Sequence, residues 1–149
     1  MSSIKAPAWA VFDFLGVIVP LGVRSGLSYM GVHTKHSVDP EMINLMRELQ
    51  SQGIALALAS NSGKPWIESV WKKIEDAPKI DKIITPEMGA AKPAAAYFSH
   101  VIEELKSKPE EIFFVDDRQA NCIGAEGAGI RTMWYQGDIA TLRDELNLA

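Results

Sequence analysis

The stretch WAVFDFLGV, residues 9–17, decides how the chain reads. An apolar run leads to Asp13, and Gly16 then offers a turn. Continuous apolar character of this length marks a strand buried on both faces. A carboxylate at the mouth of such a strand is costly unless it is paired or chemically employed. It also has no local helix to cap. Two residues further on stands Leu15. On extended backbone, residues i and i+2 face the same side. A second acid at position 15 could therefore have served the first. Either Asp13 is a catalytic aspartate without its helper, or it is a strand end that only looks catalytic.

Similar runs follow at 54–60 (IALALAS), 82–85 (KIIT), 112–117 (IFFVDD) and 131–136 (RTMWYQ), and the first extends over 8–14. Helical patterns alternate with them. The segment DPEMINLMRELQSQG has Asp39 as its predicted N-cap, Pro40 in its first turn and Gly53 past its end. Further helices are expected over 64–75, 92–106 and 118–129, and after Asp138. Strand–helix alternation predicts a single α/β domain over 1–149, with a Rossmann-like parallel sheet between two helix layers. Residues 20–38 (PLGVRSGLSYMGVHTKHSV) show no sustained period and read as a loop.

Composition narrows the function. The chain has 149 residues, 47% of them hydrophobic and 23% charged, as in a globular domain with a full core. Net charge is −4 and the basic residues are scattered, so nothing favours a nucleic-acid partner. The apolar segment near the N-terminus is interrupted by Asp13 and too short to span a membrane; it reads as a core strand rather than a signal peptide. A lone cysteine, Cys122, excludes an internal disulfide and fits a cytoplasmic location.

In an open parallel sheet, ligands bind outside the carboxyl ends of the strands. The predicted ends carry Asp13, then Ser60 and Asn61, then Asp116 and Asp117, with Lys92 ahead of a helix after the third strand. Each has a structural alternative. Ser60 and Asn61, or the acidic pair, could cap the helices that follow. Lys92 could be a solvated helix entrance. A nucleophile, a hydroxyl, an amine and a carboxylate pair in one crevice are harder to dismiss together.

This set resembles the haloacid dehalogenase-like (HAD) hydrolase superfamily, most of whose members are phosphatases. VFDFLGVI looks like its first motif, ALASNSG its second, GAAKP its third and FFVDDRQAN its fourth. The resemblance spans about residues 9–146 and implies a five-stranded sheet in the order 5-4-1-2-3. It also implies that residues 20–38 are a minimal cap or flap. Asp13 is then the nucleophile, carrying a transient aspartyl-phosphate. Mg²⁺ is held by Asp13, the Leu15 carbonyl and Asp117. Ser60, Asn61 and Lys92 bind phosphate, with Lys92 offsetting charge. Asp116 and Asn121 stand behind them, Asn121 orienting the loop or a metal-bound water.

Leu15 departs from the family's phosphatase pattern, which has a second aspartate there. That acid protonates the leaving group and activates water, and leucine can do neither. A missing general acid–base costs ~10²–10⁴ in rate. Three readings stay open: a Mg²⁺-dependent phosphohydrolase of weak or selective activity, a non-catalytic phosphate- and metal-binding relative, and a dehalogenase. Dehalogenases also lack the acid, but they carry a larger cap. A short flap leaves the crevice open, so a bulky or macromolecular phosphorylated partner, or a homo-oligomer, is expected.

Other features read as structural. His33 and His36 lack a third ligand nearby and read as surface residues. Arg24 could reach substrate only by position. The GAEGAG segment lies inside a helical pattern, where it suits close packing. Trp66, Trp71 and Trp134 read as core or edge packing, and Cys122 as buried and inert.

Overall fold

A computed structural model describes residues 5–20 and 38–148. Arg24, His33, His36 and all of the expected flap except its end residues Pro20 and Val38 lie outside that range. Five parallel strands form one sheet: β1 (Trp9–Phe12), β2 (Ala55–Ala59), β3 (Lys82–Ile84), β4 (Ile112–Asp116) and β5 (Arg131–Trp134). Their order is β3-β2-β1-β4-β5, which is the expected order read from the opposite edge. The helices between them are α1 (Pro40–Ser51), α2 (Lys64–Trp71), α3 (Ala95–Leu105), α4 (Gln119–Gly127) and α5 (Ile139–Glu145).

Alternation along the strands sorts the side chains into two cores. Ala10, Phe12, Leu56, Leu58, Phe113 and Val115 join α1, α2 and α5 on one face. Val11, Ala57, Ala59, Ile112 and Phe114 join Tyr97, Phe98 and Val101 of α3 and Ala125 of α4 on the other. Three layers result, and both faces of the central strands are dry. This is why those strands read as continuous apolar runs rather than alternating ones. β1 lies in the middle, so Asp13 leaves the sheet between β2 and β4.

Local signals hold where a side chain makes them. Asp39 caps α1 by accepting from the Glu41 N–H (3.0 Å), and Asp138 caps α5 by accepting from the Thr141 N–H (3.3 Å). Three helices are shorter than their patterns, α4 by its end residues alone. α2 stops at Trp71, and the Trp71 indole N–H donates to the Pro78 carbonyl in the segment beyond. α3 starts at Ala95 rather than Lys92, because the Lys92 backbone is bound elsewhere. Among the described residues, no helix is long and apolar enough to cross a membrane.

Of the GAEGAG glycines, Gly124 serves close packing, whereas a Cβ on Gly127 would meet nothing within 4 Å and Gly129 turns the chain at φ +87°. A Cβ on Gly124 would lie 2.6 Å from the Pro93 carbonyl and 2.9 Å from the Phe98 ring. The neighbour in the way is backbone, so α4 itself must shift. Gly124→Ala is therefore expected to cost about 1–3 kcal/mol despite the better helix propensity of alanine. The midpoint of urea unfolding measures it, and an unchanged midpoint would show that α4 can move freely.

Candidate active site

The polar groups at the strand ends converge. β1 delivers Asp13, whose N–H donates to the Val115 carbonyl at 2.9 Å. The chain then turns tightly: Gly16 N–H donates to the Val19 carbonyl at 2.7 Å, and Leu15 bridges Val19. Gly16 has φ +101°, and a Cβ there would lie 2.3 Å from an Asp117 carboxylate oxygen. Glycine thus permits both the turn and the approach of Asp117 to the Asp13 strand end.

Lys92 joins the two acidic strand ends. Its Nζ donates to Asp13 Oδ1 (2.8 Å), to Asp116 Oδ2 (2.7 Å) and to the Ala59 carbonyl (2.7 Å). The residue is only 6% exposed, so it is no solvated helix entrance. Asn61 holds its backbone from both sides. The Asn61 amide donates to the Lys92 carbonyl (3.0 Å) and accepts from the Lys92 N–H (2.9 Å). The Asn61 side chain thus positions Lys92, which leaves the Asn61 main chain for any contact with phosphate.

Asp116 is fully buried and accepts from three donors: Lys92 Nζ, the Asn121 amide (3.1 Å) and the Arg118 N–H (2.9 Å). None of these groups is the N-cap residue of the helix that follows it. The N-caps of α2 and α4 are Gly63 and Arg118, and neither makes a side-chain cap bond. The Ser60 hydroxyl accepts from the Ser62 N–H (3.0 Å), which leaves its proton free to donate. Carboxylate oxygens of Asp13, Asp116 and Asp117 lie within 4.8 Å of one another.

A cavity of about 120 Å³ opens among these groups, with Asp13, Ser60 and Lys92 on its floor. The Asp13 carboxyl is raised to about 7: burial pushes it up most, Lys92 pulls it down, and Asp116 and Asp117 add to the rise. Two residues, one lining the cavity and one bonded behind it to Asp117, escaped the sequence reading in different ways. Arg118 borders the cavity but carries no motif signal beyond its place after Asp117. Trp134, read as packing, is 41% exposed, and its indole N–H donates to the Asp117 carbonyl at 2.9 Å. Cys122 is buried as expected, and burial pushes its thiol up to about 12.

The profile of the haloacid dehalogenase-like hydrolases matches residues 10–129, which span every strand end described above except that of β5. The chain belongs to that family. Among its relatives, a sesquiterpene phosphatase, astK, of Aspergillus oryzae is 28% identical over 69% of this chain and 53% of its own length. A ribulose-1,5-bisphosphate 5-phosphatase of Halopiger xanaduensis is 28% identical over 66% of this chain and 42% of its own. This HAD-like chain thus matches about half the length of each. A HAD family enzyme of Bacteroides thetaiotaomicron superimposes with a TM-score of 0.62 at 27% identity, covering 70% of this chain and 58% of that one. It was solved as an aspartate-to-alanine mutant in complex with magnesium and inorganic phosphate.

Proposed function

We propose that this HAD-like hydrolase is a Mg²⁺-dependent phosphohydrolase whose nucleophile is Asp13. One observation carries the reading. A buried strand-end carboxylate, tethered by Lys92, opens with the Ser60 hydroxyl onto a cavity of about 120 Å³, room for one phosphoryl group. The two phosphatase relatives support a phosphorylated substrate.

The donor set suits Mg²⁺, a hard cation that takes oxygen ligands. Asp13, Asp117 and the Leu15 carbonyl would hold it, and Gly16 keeps clear the space that Asp117 needs. When bound, the ion neutralises repulsion between the substrate phosphate and the carboxylates. The remaining roles belong to the chain. Lys92 fixes the rotation of the Asp13 carboxylate and balances its charge with that of Asp116. Ser60 donates to a phosphate oxygen. Asp13 attacks phosphorus in line and carries the phosphoryl group until water removes it. Asn61 and Asn121 position Lys92 and Asp116.

Leu15 stands where phosphatases of the family carry their general acid–base. It lines the cavity and is 39% exposed, and it can neither donate nor accept a proton. Turnover should therefore favour good leaving groups. The same residue favours a second reading, in which the crevice binds phosphate and metal without turnover.

Hydrolysis of para-nitrophenyl phosphate with Mg²⁺ separates the two. Natural protein is expected to exceed Asp13→Asn, and EDTA should reduce it to the variant's level. Equal rates for natural protein and variant would favour the binding-only reading.

Metal affinity should also depend on pH. The folded-state pKa of Asp13 is raised above its ordinary value of 3.8 to about 7, so below that point the carboxyl holds a proton that the metal must displace. The rise in Tm on adding Mg²⁺ is expected to be larger at pH 8 than at pH 6. An equal rise at both would remove Asp13 from the ligand set.

A further inference from the structure

Around the proposed phosphate cavity, floor and rim differ in character. Asp13, Ser60, Lys92 and Asn121 form a buried floor. Leu15 and Arg118 are exposed at its edge. With only about 120 Å³ of space, the cavity takes one phosphoryl group, so whatever leaves must exit past that rim.

The charges are also divided. Lys92 is committed to Asp13 and Asp116. Among the described residues, Arg118 bonds only through its backbone, its N–H donating to Asp116 and its carbonyl accepting from the Asn121 and Cys122 N–H groups, and its guanidinium has no hydrogen bond or ion pair. Among the described residues, the rim therefore offers one uncommitted cation, beside an apolar side chain where a proton donor would help an alkoxide leave.

We infer that the substrate is an organic diphosphate attacked at its terminal phosphorus, with Arg118 binding the departing monophosphate. This rests on the phosphohydrolase reading and names its substrate class. Two facts that look unrelated then share a cause. A phosphate monoester leaves as a stable dianion, because its second pKa is about 6. It therefore needs no proton from position 15. It does need a partner for its negative charge, and the planar guanidinium fork of arginine matches phosphate oxygens. Leu15 then packs against the organic group beyond it.

The step balances. A carboxylate oxygen of Asp13 forms a bond to the terminal phosphorus, and the bond from that phosphorus to the bridging oxygen breaks. The electron pair stays on the bridging oxygen, which departs as part of the organic monophosphate. Water then adds to the phosphoryl-aspartate and releases dihydrogen phosphate, which keeps both protons of the water. Asp13 returns as carboxylate.

The test compares octyl diphosphate with octyl phosphate, with Mg²⁺, in natural protein, Arg118→Gln, Arg118→Lys and Asp13→Asn. Natural protein should show a kcat/KM at least ten-fold higher for the diphosphate. Arg118→Gln should lower the ratio of the two kcat/KM values about ten-fold or more, chiefly through KM for the diphosphate. Arg118→Lys should restore part of it. Arg118 is exposed, and an unchanged Tm confirms that each variant is folded. Asp13-dependent turnover that favours octyl phosphate, or a loss equal for both substrates in Arg118→Gln, overturns this inference and leaves the phosphohydrolase reading standing. No Asp13-dependent turnover of either compound overturns both.

Discussion

Leu15→Asp is expected to raise the steady-state rate on a simple alkyl monophosphate by ~10²–10⁴-fold, the usual worth of a general acid–base. Leu15 lines the cavity together with Asp13, two residues away in sequence. A carboxyl group there can protonate a departing alkoxide and then accept a proton from the attacking water. The change should cost little stability. Leu15 is 39% exposed, and its bridge to Val19 is made by backbone. A substrate with a good leaving group should gain less, since only water activation is then missing. Steady-state assays on octyl phosphate and para-nitrophenyl phosphate measure both. An unchanged rate on the alkyl ester would mean that position 15 does not face the leaving group.

Lys92→Met is expected to abolish activity and to destabilise the fold by about 3–5 kcal/mol near pH 8, the usual cost of leaving a buried charge without its partner. Methionine fills most of the lysine's space, so the loss is electrostatic. Asp13 and Asp116 would face each other with no cation between them. The pH dependence follows in sign. Without Lys92, which pulls it down, the Asp13 pKa rises further above its unfolded value. A carboxyl group with a raised folded-state pKa favours the folded state when protonated, and that advantage is lost as pH rises from about 4 through the folded-state pKa. The deficit relative to natural protein should therefore be largest at pH 8 and shrink toward pH 5. Urea midpoints at the two values test this. A deficit equal at both would assign the cost to packing rather than charge.

The fold was legible because its central strands are buried on both faces. Residues 54–60 and 112–117 stand out as apolar runs for that reason, and the structure places β2 and β4 within them. Helix starts were legible where a side chain caps them, as Asp39 and Asp138 do. The start of α3 was not. It depends on Asn61 gripping the Lys92 backbone, across a gap in sequence that no local pattern spans. The site was legible as a set of strand-end polar residues in a fixed order. What each side chain touches was not. The grip of the Asn61 amide on the Lys92 backbone is one such contact. Arg118 gave no sequence signal, since a single arginine after an acidic pair has no period and no partner in the chain. Trp134 looked like edge packing, and only the pairing of β5 with β4 carries its indole to Asp117.

The central claim is that Asp13 carries the phosphoryl group. Without an acid–base at position 15, hydrolysis of that intermediate should be slow, so it should accumulate. The direct measurement is mass spectrometry of protein quenched in acid during turnover of para-nitrophenyl phosphate with Mg²⁺. The expected result is the mass of one added phosphoryl group, located on the peptide containing Asp13 and absent from Asp13→Asn. Steady release of product by natural protein, with no phosphorylated Asp13 at any time point, would contradict the account.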